Sequence, residues 1–310
     1  MNKIFLLIII LLTLCVGSIY FFIPRDIKIH DSAVAHCIPK NIADCLRNET
    51  TWEKWWPGSF NGKMFTYGNY RYNLTEPFTD GAQVELNKGQ KNFSTRILVV
   101  PSGKDSALVE WQASLAAGYN PIKRIAQWFE AREMKNDMRF LLDTLVNFAG
   151  KTENMYGFHI ERTTFTDTIL VATKFSSTRY PTTEIIFNAI DQLKKKINEE
   201  AAQEKDFPML NIKEMDSGHF ETMVAICINK EIKNTGSIFM TRMVPMKDRF
   251  LKTEVTGGPL MIKSAHEAIE KYMTDHFLSA PAIPFEILVT DRSKEPDTSK
   301  WKTNVFYPSM

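Results

Sequence analysis

A single glutamate stands in an otherwise apolar run near the end of the chain, Ile283-Pro284-Phe285-Glu286-Ile287-Leu288-Val289. Strand alternation puts Glu286 on one face with Pro284, Leu288 and Thr290. A carboxylate on a buried sheet face is costly unless it is paired or meets a ligand. A desolvated carboxyl is also how a general acid or base is made. On these residues alone, a strand-edge glutamate facing water is the plainer alternative. Elsewhere the chain is poor in reactive constellations. It has no HExxH, and its six histidines are scattered. It has no G-x-S-x-G elbow and no catalytic cysteine context. No metal and no cofactor is expected.

Glu286 needs a sheet to hold it and helices to cover it, and the chain from about Tyr156 to Met310 supplies both twice. A helix is predicted over roughly residues 183–202, with Ile186, Ala189, Ile190, Leu193 and Ile197 inward and Lys194–Lys196 on a solvated flank. A second covers roughly residues 260–277, with Ile262, Ala265, Ile269, Tyr272 and Met273 inward. Asn188-Ala189-Ile190-Asp191 echoes Glu267-Ala268-Ile269-Glu270. After each helix a proline opens a strand, Pro208–Ile212 and Pro284–Leu288. Each strand reaches an acidic turn, at Asp216 and Asp291, before a last strand at residues 220–228 and 302–307. A duplicated strand-helix-strand-strand unit predicts a pseudo-twofold pair with a cleft along its axis. Thr256-Gly257-Gly258-Pro259 reads as a tight turn, lacking the further glycines and lysine of a phosphate loop.

The segment Pro284–Asp291, then Glu295-Pro296-Asp297, Trp301-Lys302-Thr303 and Tyr307-Pro308, resembles the gyrase-inhibitor-like family. This is the effector-binding domain of bacterial transcription activators, with the pattern P-W-E-x-Y-L-T-D-P … E-x-P-D … W-x-T-E. The resemblance covers nearly all of residues 156–310. It implies that Glu286 lies at the floor of the central cleft and meets cationic or polar ligands. The family's tyrosine is Leu288 here, its proline after Thr-Asp is Arg292, and its last glutamate is Asn304. Some members with the glutamate and a cleft tyrosine hydrolyse strained electrophilic rings. Here a tyrosine would have to come from Tyr180, Tyr272 or Tyr307. Tyr272 and Trp301 also have a plainer reading as core. The ligand-binding set expected is therefore Glu286, Trp301, Tyr272, Tyr307 and Tyr180, with Glu286 the catalytic candidate if the protein is an enzyme.

Ahead of this, residues 26–150 read as an extended stretch at residues 27–38, a helix from Pro39 to Leu46, and a second short helix with Thr50 and Glu53 as a capping box. On that helix Trp52, Trp55 and Trp56 share a face, as core or as the wall of an apolar cavity. Tyr67, Tyr70 and Tyr72 are open in the same way. Successive strands follow from Lys63 to Ala117, broken at Asn61-Gly62, Asp80-Gly81, Asn87–Gly89 and Ser102-Gly103. A long helix is predicted over residues 121–149, with Ile125, Phe129, Met134, Met138, Leu141, Leu145 and Phe148 recurring and Gly150 as its stop. This order, with Trp52-Glu53-Lys54-Trp55-Trp56-Pro57, resembles the helix-grip fold of the START and polyketide-cyclase-like superfamily. It implies a curved antiparallel sheet around the long helix, with a cavity between them.

Residues 4–23 carry no charge, and a helix of that length spans about 30 Å, a bilayer's hydrocarbon core. A cleaved signal peptide has a shorter apolar region, and here Ile19–Ile23 continues past the weak Gly17-Ser18 site. An uncleaved anchor over residues 1–25 is expected. Lys3 on one flank faces Arg25 and Lys28 on the other, so orientation stays open, with signal-anchor logic favouring a body outside the cytoplasm.

The expected protein is α+β: a transmembrane helix (1–25), a helix-grip domain (26–150) and a duplicated effector-binding domain (156–310). The bacterial families imply a single-pass protein of a bacterial inner membrane that binds an amphipathic or cationic small molecule over Glu286, with a second apolar cavity in the helix-grip domain. A hydrolase using Glu286 to activate water and a scaffold with collapsed clefts are the alternatives. A net charge of +2 gives no case for nucleic acid, and the helix-grip block stands where such regulators carry a DNA-binding domain. The oligomeric state is open, and so is a Cys37–Cys45 disulfide.

Overall fold

Twenty residues form the first helix, α1 (Lys3–Phe22), of which Ile4–Phe22 has a mean hydropathy of 2.8. It is long and apolar enough to cross a membrane, a test that a signal sequence also passes. The helix ends ahead of Pro24, which has no N–H to continue the ladder. The structure, a computed structural model, describes residues 3–166, 168–215, 218–243 and 245–310. It is a mixed α+β chain with two antiparallel sheets, and it divides into two units, Met1–Lys151 and Thr152–Met310.

The last turn of α1 is joined to the body of the first unit. Arg124, only 6% exposed, donates its Nε–H to the Ile23 carbonyl at 2.8 Å, with its guanidinium 4.7 Å from the Tyr20 ring. The Tyr20 hydroxyl donates to the Tyr119 carbonyl, and Arg25 lies 5.0 Å from the Tyr119 ring.

From there the chain runs β1 (Asp26–Ala35), α2 (Pro39–Leu46), α3 (Glu49–Trp55), β2 (Ser59–Phe60), β3 (Phe65–Tyr67), β4 (Tyr70–Phe78), β5 (Gly81–Lys88), β6 (Lys91–Gly103), β7 (Ser106–Ala116) and α4 (Pro121–Ala149). The sheet order is β1-β7-β6-β5-β4-β3-β2, a meander in which the first strand pairs with the last, Ile29 opposite Ala113. Asn120 caps α4 by accepting from the Ile122 and Lys123 amides, and Pro121 supplies the preset first-turn φ. The helix buries Ala131, Met134, Met138, Leu141, Leu142, Leu145 and Ala149. At its other side the strand turns hold it by charge: Lys88 meets Glu133 at 2.9 Å and Lys91 meets Glu130 at 2.6 Å.

Several expectations change here. Phe129 points to solvent, 58% exposed, so the buried apolar stripe starts two residues later at Ala131. The cap of α3 is Asn48, whose side chain accepts from the Thr51 amide, so the Thr50–Glu53 box does not form. Cys37 and Cys45 are buried and share no disulfide, and burial pushes both thiols upward, to about 11 and about 12. The tryptophans are core. Trp52 stacks on Trp56 at 5.3 Å, and Trp56 meets Tyr72 at 4.9 Å and Phe65 at 5.4 Å. Trp111 and Tyr70 are buried with these rings.

The second unit runs α5 (Thr152–Tyr156), β8 (Glu161–Phe165), β9 (Thr168–Ser177), α6 (Thr183–Glu199), β10 (Met209–Glu214), β11 (Phe220–Ile228), β12 (Ile238–Met243), β13 (Met246–Thr256), α7 (Pro259–Asp275), β14 (Phe285–Leu288) and β15 (Lys302–Pro308). Its eight-stranded sheet has the order β12-β9-β11-β10-β14-β15-β13-β8. Outward from the central β10–β14 pair, the strands are β11, β9, β12 on one side and β15, β13, β8 on the other. The outermost β8 and β12, and α5, lie outside the strand-helix-strand-strand reading. Asp216 lies outside the described residues.

Both long helices cover one face. Helix α6 packs Ile186, Ile190, Leu193 and Ile197 on Val171, Leu210 and Val224. Helix α7 packs Ile262, Ala265, Ile269 and Met273 on Leu251, Val255 and Val305. Burying such a Leu or Ile contributes about 1.5–3 kcal/mol, so each helix is held by its own stripe. The gap between the two cores lies over β10 and β14.

Candidate functional site: a cleft over Glu286

Register fixes where Glu286 sits. It is opposite Leu210 on β10 and opposite Val305 on β15, residues that belong to the α6 core and the α7 core respectively. Its face is therefore the helix-covered one, at the seam. Above it opens a cleft of about 910 Å³. Ile186, Leu210, Ile262 and Phe285 supply apolar wall, and Tyr180, Trp301 and Tyr307 line it too.

Glu286 is 9% exposed and both its oxygens are engaged. Oε1 lies 3.4 Å from His266 Nε2, and Oε2 accepts from Arg292 Nη2 at 3.3 Å. Arg292 reaches this position from the loop after β14. Its Nη2 also donates to Thr303 Oγ1 at 2.8 Å, and its guanidinium lies 4.8 Å from the Trp301 ring. Trp301 is held in turn: its indole N–H donates to the Glu295 carbonyl at 2.9 Å, and its own carbonyl accepts from the Gly257 amide at 2.8 Å. Gly257 has φ +147°, in the region open to glycine, so the glycine pair is a turn that anchors Trp301.

On the other side a chain of polar groups leads away from Glu286. His266 Nδ1 is 2.9 Å from the Tyr307 hydroxyl, which donates to Glu270 Oε1 at 2.9 Å. Tyr307 has one proton and two acceptors beside it, so its rotor couples the tautomer of His266 to Glu270. Burial, and then the bond to Glu270, push the Tyr307 phenol far above its ordinary value. Tyr180 stands at the mouth, edge-on to Phe220 at 5.6 Å. Partial burial and the Glu286 carboxylate push its phenol upward, and Arg292 opposes them.

Of the five residues expected at a ligand, Glu286, Trp301, Tyr307 and Tyr180 line this cleft. Tyr272 does not: it stacks on His276 at 3.8 Å and packs edge-on to Tyr156 at 5.3 Å, beneath α7. Sequence reasoning missed His266, Glu270 and Thr303. A signal existed, because His266 and Glu270 are polar at i and i+4 beside the apolar stripe of α7, so they share a face. Arg292 was visible, but as a departure from a pattern and not as the partner of Glu286.

No family model and no curated protein matches the chain. Several solved structures share parts of the fold at low identity. The EcmrR C-terminal domain is similar over 49% of this chain and 98% of its own, with 12% identity and a TM-score of 0.42. A structure described as a hydrolase from Listeria innocua is similar over 49% of this chain and 91% of its own, with 10% identity and a TM-score of 0.38. A START superfamily protein from Mycobacterium smegmatis is similar over 36% of this chain and 95% of its own, with 12% identity and a TM-score of 0.25.

Proposed function

We propose that the chain is a membrane-anchored binding protein whose second unit holds an amphipathic small molecule in the cleft over Glu286. One observation carries the reading: an open cleft of about 910 Å³ with apolar walls converges on a charged, hydrogen-bonded floor. Small-molecule sites have this form, mostly apolar with a few fixed polar groups. The strand order about β10 and β14, with one helix over each half, supports an internal duplication with the cleft on its axis. Residues 156–310 are then an effector-binding-like domain, and residues 26–150 a helix-grip domain whose interior is core.

Binding is favoured over hydrolysis because Glu286 is already tied to Arg292 and faces His266, contacts that fix the carboxylate as part of the floor. The open cleft counts against a collapsed scaffold. Residues 4–23 anchor the chain by our reading, in a bacterial inner membrane and with the body outside the cytoplasm.

Native mass spectrometry on the full chain, released from mild detergent, tests the binding reading. A small molecule that leaves on activation is expected, and it should be absent when Glu286→Gln and Arg292→Gln are combined. A chain that never carries an adduct from cell extract, or carries it equally in the double variant, would overturn the assignment to this cleft.

A further inference from the structure

Resting on the binding reading above, we infer that Arg292 sets the charge of the ligand: the cleft takes an amphipath whose polar end is an uncharged or anionic acceptor, and turns away hydrophobic cations. The carboxylate at the floor already has a cation beside it. Its Oε2 is on Arg292 and its Oε1 faces His266. The guanidinium that occupies it is built in. Its side chain is 8% exposed, it lies against Trp301, and Thr303 takes a second bond from the same nitrogen.

What the floor still offers is donors. Among the described residues, Arg292 Nε is buried with no hydrogen-bond partner. An unpartnered buried donor is costly, and an acceptor carried in by a ligand relieves that cost. Arginine between two acceptors, one resident and one arriving, uses the fan of N–H groups that lysine lacks. Charge around the cleft does not by itself favour an anion, because Lys213, Lys263 and Arg292 are met there by Glu214, Glu267, Glu270 and Glu286. The floor does. A cationic head would lie beside a guanidinium in a water-poor site, where like charges repel strongly.

Two probes with one tail test this: 4-phenylbutyrate and 4-phenylbutyltrimethylammonium, titrated by calorimetry into the full chain in nanodiscs, with empty nanodiscs subtracted. The butyrate is expected to bind at least tenfold more tightly than the ammonium. Arg292→Gln drops the charge and, being shorter, also gives up the bond to Thr303, and it should reverse that preference. Glu286→Gln should tighten the butyrate. Thermal unfolding of each variant separates a lost fold from a lost preference. Wild-type preference for the ammonium, or a preference unmoved by Arg292→Gln, overturns the role of Arg292 and leaves the binding site standing. If neither probe binds the wild type or either variant, the binding reading falls with it.

Discussion

Each unit sets one antiparallel sheet against helices, yet the two use their interiors in opposite ways. In the first, α4 lies across the sheet, and the space between is closed by large rings: Trp52, Trp111, Tyr70, Tyr72 and Phe65 are all at 1% exposure or less. In the second, two shorter helices each bury a stripe on their own half of the sheet and leave the seam between them unfilled. The difference lies in where the bulk is. Aromatic volume on α3 and the inner strand faces fills the first unit. The second has aliphatic stripes and keeps its polar groups at the seam. A closed interior rewards packing alone, whereas an open seam can hold charges that only a bound molecule completes.

The sharpest way to break that contrast is Trp52→Ala, which should destabilise the first unit by about 3–5 kcal/mol, seen as a lower urea midpoint. A loss under about 1 kcal/mol would mean that the rings line a usable cavity after all. Next in size is Glu286→Gln alone. It leaves a buried guanidinium without its counter-charge and should cost about 3 kcal/mol, most of it regained when Arg292→Gln is added. Additive losses in that cycle would show that the pair at 3.3 Å is not coupled. Tyr307→Phe removes the hydroxyl between His266 and Glu270 and should cost about 1 kcal/mol. A shifted His266 imidazole signal in proton NMR would confirm that the two were linked.

The last effect belongs to the first unit and shows only in its pH dependence. Burial, then the Glu133 charge, raise the Asp137 carboxyl to about 6. A carboxyl raised in the fold binds its proton more tightly there than in the unfolded chain. Its contribution is therefore favourable below about pH 4 and fades as pH rises through about 6. Asp137→Asn should gain stability over the wild type progressively between pH 4 and pH 7. An offset constant across that range would mean that Asp137 titrates normally.

Much of this architecture was legible because periodicity and punctuation agree. Pro39, Pro121, Pro208 and Pro284 open elements as they should, and α4 spans residues 121–149 as its spacing predicts. The edge strands β8 and β12 were not legible, since half-buried strands carry no clean alternation. At the site, Glu286 stood out as one charge in an apolar run. Its partners did not, because they come from a loop six residues on and from another helix, and pairing across such distances depends on register. Tyr272 follows its plainer reading as core: sharing the inner stripe of α7 says that a residue is covered, not what covers it.

The Arg124 bond to the Ile23 carbonyl has a mechanical consequence. Only Ile23, Pro24 and Arg25 separate α1 from β1, at most about 11 Å of chain, and that short stretch is braced by Arg124, Tyr20 and Tyr119. If α1 crosses a bilayer, as proposed, it is then not a leash but an axle. If it tilts or spins, the first turns of α4 go with it, so the orientation of the first unit toward the lipid is set by the lean of one helix.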